Sequence, residues 1–279
     1  MSNTLNVAKK EFRNLMGSKL ILIVLVWYVV ASIGSFFYTY NNYVYVVSHE
    51  DPSDPYYYLH YTSPVDRFFK GIVNNFRWLG PILAVVLGFV SMTSEIDGKA
   101  LGTMLTKPLY RDTIINGKLL GNMAFIIIIT LLTTILYVAA ILAMTGDLDI
   151  AFSLIERIPL VLLLSLLCMM FMFSLSVLIV LLIKDQSLAL FMGFLSYLIL
   201  FKFIHSSDVA GGIMDYFHSR FLGDLISGIS PDKMFYLILG DADLTGILEN
   251  SSFELFKLAM YCVVTLTLAY TVFLRRDIE

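Results

Sequence analysis

Two groups of side chains in this sequence are of types that bind metal ions. His205, Asp208, Asp215 and His218 combine imidazole and carboxylate groups within one short segment, and both groups ligate divalent metals. The run Cys168-Met-Met-Phe-Met172 offers soft sulfur ligands of the kind that hold cuprous ions. Methionine also fills gaps in apolar packing, and successive residues of a helix point in different directions. We therefore expect neither group to form a metal site.

Motifs for nucleotide binding and catalysis are missing from the chain. The pairs Gly98-Lys99 and Gly117-Lys118 lack the upstream glycine and the following hydroxyl residue of a phosphate-binding loop. The apolar runs 119–144 and 158–183 contain no Asp, Glu, Lys, Arg or His, although ion-driven carriers usually place such residues at the bilayer midplane. The sequence thus predicts a protein that is not an enzyme and binds no cofactor of its own.

The composition is that of an integral membrane protein. Hydrophobic residues make up 58% of the chain and charged residues 15%, against roughly a quarter charged in soluble domains. The apolar runs do not alternate with polar residues, which excludes a membrane barrel. We predict an all-α fold, a single transmembrane domain of residues 1–279 with six spans: 20–37, 72–93, 119–144, 158–183, 187–204 and 255–274. The second span requires Arg77 to extend its side chain to the interface.

Residues 1–18 have the two-sided pattern of a helix that lies at the membrane surface. One side of a helical wheel is apolar, and it comprises Leu5, Ala8, Phe12, Leu15 and Met16. The charges of the segment interrupt any continuous apolar core, which excludes a cleavable signal peptide. A disordered tail is the alternative. The pattern extends over the whole segment and favours an interfacial helix.

The segment between the second and third predicted spans, residues 95–118, is polar, basic and rich in turn-forming residues. Gly98 and Gly102 allow the backbone to leave the span and turn, and Pro108 ends a first short helix. Residues 112–118 start a second helix that continues into the third span. A plain basic loop is the alternative, but such a loop does not need this density of turn residues. We expect a surface that a partner contacts.

Lysine and arginine are concentrated on one side of the predicted membrane topology. Six spans place both termini on the same side, together with residues 95–118. Because cytoplasmic loops carry the excess of basic residues, we predict a multi-pass protein of the cell membrane with both termini in the cytoplasm. Lys99 and Lys118 are expected to meet lipid phosphates there. The net charge of −3 gives no indication of a nucleic-acid partner.

The order of these features resembles the permease subunits of ABC type-2 exporters. The residues that carry the resemblance are Lys10-Glu11-Phe12-Arg13, Glu95, Gly102-Thr103-Met104-Leu105, Pro108, Arg111, Gly117-Lys118 and Arg275-Arg276-Asp277. Met104 and Lys107 depart from the family pattern, where leucine and a small or polar residue are usual. The resemblance covers the layout of essentially the whole chain, and its specificity comes mainly from residues 95–118.

The resemblance implies that residues 95–118 contact a separate ATP-binding subunit. The residues expected to form this coupling surface are Glu95, Gly98, Gly102, Thr103, Leu105, Lys107, Pro108, Tyr110, Arg111, Gly117 and Lys118. Leu105, Tyr110 and Arg111 are the expected anchors, because large side chains and arginine dominate the energetics of protein interfaces.

By the same resemblance, two permeases assemble with two ATP-binding subunits, which hold the ATP and the magnesium. Identical permeases are the default, since most soluble closed assemblies are homo-oligomers. The substrate stays open. The alternative function is a subunit that moves an extracytoplasmic partner without passing a substrate, as in nitrous oxide reductase assembly.

Two longer segments face outward in this topology. Residues 38–71 are rich in tyrosine, which is typical of an interfacial belt; the lining of an exit route for an amphipathic substrate is the alternative. For residues 205–252 the resemblance implies short re-entrant helices that close an outer gate. The gate residues expected there are Phe217, Phe221 and Pro231.

Overall fold

The described part of the chain is entirely helical apart from short turns, which confirms the all-α prediction. A computed structural model describes residues 2–49, 64–97, 111–183, 185–203 and 244–275. The helices are α1 Ser2–Gly17, α2 Lys19–His49, α3 Pro64–Asp97, α4 Arg111–Thr145, α5 Leu148–Leu182, α6 Gln186–Leu198 with a π-helical turn Ile199–Phe203, and α7 Leu244–Arg275.

Five of these helices, α2 to α5 and α7, are long and apolar enough to cross a membrane. The chain is therefore a multi-pass membrane protein. The apolar helix Gln186–Phe201 is shorter, so the count of six spans stays a prediction. All five long helices extend beyond the predicted apolar runs; α5, for example, begins at Leu148, ahead of the predicted start at 158.

The contact between α3 and α5 forms the centre of the bundle. The apolar window of α3 is 78% buried, whereas those of α2 and α7 are each 17% buried. A Cβ atom added at Gly88 would lie 2.8 Å from the carbonyl oxygen of Phe173, and the Ser176 hydroxyl donates to the Val85 carbonyl at 2.8 Å. Small residues allow such close approach of two backbones within a membrane. Helices α2, α4, α6 and α7 pack against this pair.

Short turns make α4, α5 and α6 run in alternating directions. Gly146 has a φ of 67°, which glycine adopts without a steric penalty. The next residue, Asp147, caps α5, and its Oδ1 accepts from the Asp149 amide at 2.9 Å. Asp185 caps α6 in the same way, accepting from Leu188 at 2.9 Å. With so few residues in each turn, neighbouring helices must be antiparallel.

The two ends of the bundle differ in their polar contacts. We call the end that carries α1, the last turn of α3 and the first turn of α4 the α1 end, and the opposite end the distal end. At the distal end, Arg157 Nη1 lies 2.7 Å from Asp66 Oδ1. Arg77 of the second predicted span is 6% exposed, and its guanidinium lies 5.0 Å from the centre of the Trp78 ring; the extension of this side chain to the interface stays a prediction.

Candidate functional site

Helix α1 lies against the first turns of α4, and two glycines of α4 make this contact close. A Cβ atom at Gly121 would lie 2.8 Å from the Ala8 carbonyl oxygen, and one at Gly117 would lie 3.0 Å from the Thr4 carbonyl oxygen. Further along, the rings of Phe12 and Phe125 meet edge to face with centroids 5.7 Å apart. Larger residues at the glycine positions would have to push a backbone away, so the glycines set the distance between the two helices.

The buried side of α1 differs in part from the predicted apolar side. Ala8, Phe12 and Leu15 do pack towards the bundle. Leu5 and Met16, however, are 64% and 54% exposed, so the apolar side is divided between residues that pack on the bundle and residues that face away from it. The helix is rotated so that a carboxylate on its inner side, rather than these two apolar residues, enters the bundle.

That carboxylate is Glu11, and it belongs to a buried polar cluster with Ser91, Lys118 and Asn122. Lys118 Nζ lies 3.0 Å from Glu11 Oε2 and donates to the Ser91 carbonyl oxygen at 2.7 Å. The Ser91 hydroxyl donates to Glu11 Oε1 at 2.7 Å. Asn122 Nδ2 donates to the Ser91 hydroxyl oxygen at 3.0 Å and to the Lys118 carbonyl at 2.9 Å. The cluster therefore joins α1, α3 and α4.

The cluster is closed off from the surroundings of the protein. Lys118 is 1% exposed and Glu11 is 5% exposed. Buried charges are tolerated only when they are paired and also hydrogen-bonded to other groups. Glu11 and Lys118 meet this condition, since they pair with each other and each also bonds to Ser91. The expectation that Lys118 meets lipid phosphates is wrong, because its ammonium group points into the bundle and binds Glu11.

The polar cluster lies close to the predicted coupling surface. Ser91 lies about two turns before the end of α3 at Asp97, and Lys118 about two turns after the start of α4 at Arg111. The polar cluster thus connects the two helices on either side of residues 98–110 and holds both against α1.

A second contact at the same end attaches α7 to the start of α4. The Tyr270 hydroxyl donates to Asp112 Oδ1 at 2.8 Å. Asp112 is the second residue of α4 and lies within the predicted coupling segment 95–118, so α7 is held directly to that segment. Three helices, α1, α3 and α7, therefore contact the first turns of α4.

Most of the predicted coupling and gate residues lie outside the described part of the chain. They are Gly98, Gly102, Thr103, Leu105, Lys107, Pro108, Tyr110, Phe217, Phe221 and Pro231. The backbone is described for Glu95 in α3 and for Arg111 at the start of α4. Gly117 and Lys118 are described in full, and both contact α1. The residues of the proposed histidine and aspartate metal group also lie outside the described ranges, whereas Cys168 and Met172 belong to the buried core.

Sequence reasoning missed Ser91, Asn122 and Asp112 as site residues. One signal could have indicated the cluster: Glu11 is an acid between Ala8, Phe12 and Leu15 on the packed side of α1. A carboxylate on the inner side of a helix requires a buried cation as partner. Lys118 directly precedes the apolar residues of the third predicted span. This position made it the best candidate for the buried cation that pairs with Glu11.

Comparison with known proteins assigns the chain to a family. The family model described as ABC-2 family transporter protein matches residues 5–278, which includes most of α1, the polar cluster and the five long helices. A comparison with curated proteins finds no match. Because the family match extends over nearly the whole chain, the earlier resemblance is confirmed, and this chain belongs to the ABC-2 family of transporter proteins, as a membrane permease.

Proposed function

We propose that this permease is the transmembrane subunit of an ATP-driven exporter and that a separate ATP-binding subunit moves it. The observation that carries the proposal is the buried cluster of Glu11, Ser91, Lys118 and Asn122. It fixes α1, α3 and α4 to one another where residues 98–110 connect α3 to α4. A force applied to that segment would therefore act on three helices at once.

Force can pass from residues 98–110 to the membrane helices only if these helices are rigidly connected. Domain motions in switching proteins pass between sites as movements of packed elements. The ion pair between Glu11 and Lys118 resists sliding of α1 along α4, since any separation would leave buried charges unpaired. The Tyr270–Asp112 hydrogen bond would extend the same movement to α7.

The proposed assembly contains two copies of this chain and two ATP-binding subunits, which hold the ATP and the magnesium. Helices α2 and α7 leave most of their apolar windows uncovered, since each is 17% buried. Lipid and a second permease are the available partners for these surfaces. The chemical identity of the substrate stays open.

The proposal also includes a surface position for α1 and a sixth span. Leu5 and Met16 are exposed apolar residues, and Lys9 and Arg13 continue the same exposed side of α1. A helix with an exposed apolar edge beside basic residues suits the boundary between acyl chains and lipid phosphates. Helix α6 with its π-helical turn, residues 186–203, would be about 27 Å long, close to the hydrocarbon thickness of about 30 Å.

The orientation of the chain gives a first testable prediction. We expect Ser2, Lys107 and Glu279 to face the cytoplasm, and Ser53 and Asp243 to face outward, because basic residues concentrate at the α1 end. Single cysteines at these positions, in a background without the two native cysteines, would be exposed to an impermeant thiol reagent in intact cells. Labelling is expected only at positions 53 and 243. Labelling of position 107 would contradict the orientation.

A second prediction tests the coupling surface. Replacing Tyr110 and Arg111 by alanine should leave the permease in the membrane but weaken capture of its ATP-binding subunit by about 2 kcal/mol, roughly thirtyfold, since anchors of this kind dominate interfaces. The measurement is the amount of ATP-binding subunit that copurifies and the substrate-stimulated rate of ATP hydrolysis. The isolated permease should hydrolyse no ATP.

The matched control for this experiment is Arg13→Ala, which removes one positive charge from an exposed position at the same end of the bundle. Capture by this variant should equal that of the parent. If the variant with both substitutions also captures and stimulates the ATP-binding subunit at parental levels, residues 95–118 are only a basic loop.

A further inference from the structure

A cavity of about 490 Å³ lies between α2 and α3 towards the distal end, and its lining is polar. Asn42 of α2 and Asn74 of α3 contribute amides, and Ser35 and Thr39 contribute hydroxyls. Each lining residue in the described part of the chain is a glycine or carries a polar group. A roomy cavity with such a lining suits water or a polar ligand rather than an acyl chain.

The cavity continues a line of polar residues along one side of α2. Ser32, Ser35, Thr39 and Asn42 follow one another at intervals of three, four and three residues, which is the spacing of a single side of a helix. This side faces the bundle, since Asn75 Nδ2 of α3 donates to Ser32 Oγ at 3.1 Å. The line of polar groups therefore extends one helical turn deeper than the cavity.

The cavity enters the hydrocarbon layer from the distal side. With a rise of 1.5 Å per residue, Ser35 lies about 24 Å and Asn42 about 35 Å along α2 from Lys19, and the hydrocarbon layer is about 30 Å thick. Asn42 is thus close to the distal boundary of this layer, and Ser35 lies within it. Polar residues at such a depth usually face the interior of a bundle or a water-filled cavity, and they mark substrate pathways.

A buried amide oxygen beside the cavity requires a hydrogen-bond donor. Asn75 is 4% exposed, and its Oδ1 has no hydrogen-bond partner among the residues that the structure describes. The preceding residue, Asn74, lines the cavity. Leaving a buried acceptor unpaired is costly. A hydroxyl or amide N–H that enters the cavity would provide the donor, as would water.

The cavity can be reached from the lipid. Tyr38, one of its lining residues, is 75% exposed, and the adjacent Phe37 is an exposed apolar residue. The apolar window of α2 is only 17% buried. A ligand whose headgroup occupies the cavity can therefore leave its acyl chain along the exposed side of α2.

We propose that this cavity binds the headgroup of an amphipathic substrate, and that this headgroup carries hydroxyl or amide groups, as a sugar does. Amides and hydroxyls both donate and accept hydrogen bonds, so the lining matches a headgroup that does the same. Asn75 Oδ1 requires a donor, which the phosphate group of a phosphodiester lacks. The role of this ligand as a substrate rests on the exporter function proposed above, but its binding requires neither ATP nor an ATP-binding subunit.

Thiol labelling tests whether water enters the cavity. The full chain, without its two native cysteines and with Ser35→Cys, is placed in phosphatidylcholine nanodiscs, where both sides of the membrane are accessible. A charged methanethiosulfonate reacts with thiols that are exposed to water, because the thiolate is the reactive form. The matched control is Ile33→Cys, which lies at nearly the same depth on the exposed apolar side of α2. Ser35→Cys should react about tenfold faster than Ile33→Cys.

Protection from labelling tests the ligand. The rate for Ser35→Cys is measured in phosphatidylcholine alone, with added glucosyl diacylglycerol and with added glucose. We expect the glycolipid to slow labelling about fivefold at a saturating amount, since an occupied cavity excludes the reagent. Labelling of Lys10→Cys, an exposed position on α1, should not change.

Amide variants test the residues that recognise the headgroup. In the Ser35→Cys background, Asn42→Ala with Asn74→Ala should remove most of the protection by the glycolipid, because hydrogen bonds to the headgroup are lost. The matched control is Asn41→Ala, which removes an exposed amide next to Asn42 that does not line the cavity. Protection should be unchanged in this variant.

The outcomes separate the two sources of the headgroup. Protection by the glycolipid alone assigns the site to a lipid-borne headgroup, and protection by glucose as well supports the same recognition with access for soluble sugars. Equal rates at positions 35 and 33 would overturn the proposal, as would an absence of protection by both ligands or full protection in the variant with both alanines. Failure to capture an ATP-binding subunit would instead contradict the exporter function and leave this binding site intact.

Discussion

Lys118→Met is expected to lower the free energy of unfolding by about 3–5 kcal/mol, because removing one partner of a buried ion pair leaves the other charge uncompensated. Methionine keeps most of the apolar stem but removes Nζ, which lies 3.0 Å from Glu11 Oε2 and 2.7 Å from the Ser91 carbonyl. The measurement is denaturant or thermal unfolding of the purified chain in detergent, together with the fraction that stays monodisperse.

Two further variants make this expectation specific. Lys10→Met changes an exposed lysine of α1 and should alter stability by less than about 0.5 kcal/mol. Glu11→Gln combined with Lys118→Met removes both buried charges and should recover part of the lost stability, because no charge is left unpaired. If Lys118→Met is as stable as Lys10→Met, the cluster does not hold α1 against α4.

The helices themselves were largely predictable from the sequence, but their ends were not. A hydropathy pattern reports which residues suit the hydrocarbon layer, so it located the centres of α4 and α7 well. Helices continue beyond that layer wherever caps and packing satisfy the backbone. Asp147 caps α5 well ahead of its apolar run, and α3 starts at Pro64, where the sequence is polar. Nothing in the apolar pattern records these extensions.

The polar cluster depends on contacts that a sequence pattern cannot show. Glu11 pairs with Ser91 and Lys118 across separations of 80 and 107 residues. Helical periodicity says which residues share a side of one helix but not which helix that side meets. The apolar side of α1 was therefore evident from the sequence, but the side that faces the bundle is determined by the ion pair of Glu11 and by the glycines of α4. The sequence feature that indicates this rotation is Glu11, a charged residue among the apolar residues of α1.

The glycines allow the packing of α1 to be tested separately from its charges. Gly121 faces α1 so closely that a Cβ atom there would lie 2.8 Å from the Ala8 carbonyl oxygen and 3.0 Å from Glu11 Cβ. The carbonyl belongs to a helical backbone, which cannot move by itself as a side chain can. Gly34 of α2 is the opposite case, since a Cβ atom there would meet nothing within 4 Å.

Gly121→Leu should therefore cost about 3 kcal/mol of stability, at the upper end of the usual cost of overpacking, because α1 must separate from α4 to admit the side chain. Separation also lengthens the distance between Glu11 and Lys118, so transport should fall even in protein that remains folded. Gly34→Leu should change neither quantity. Unfolding and transport are measured for both variants in the same lipid. If Gly121→Leu transports at the parental rate, force does not pass through the contact between α1 and α4, and the proposed route of coupling is wrong.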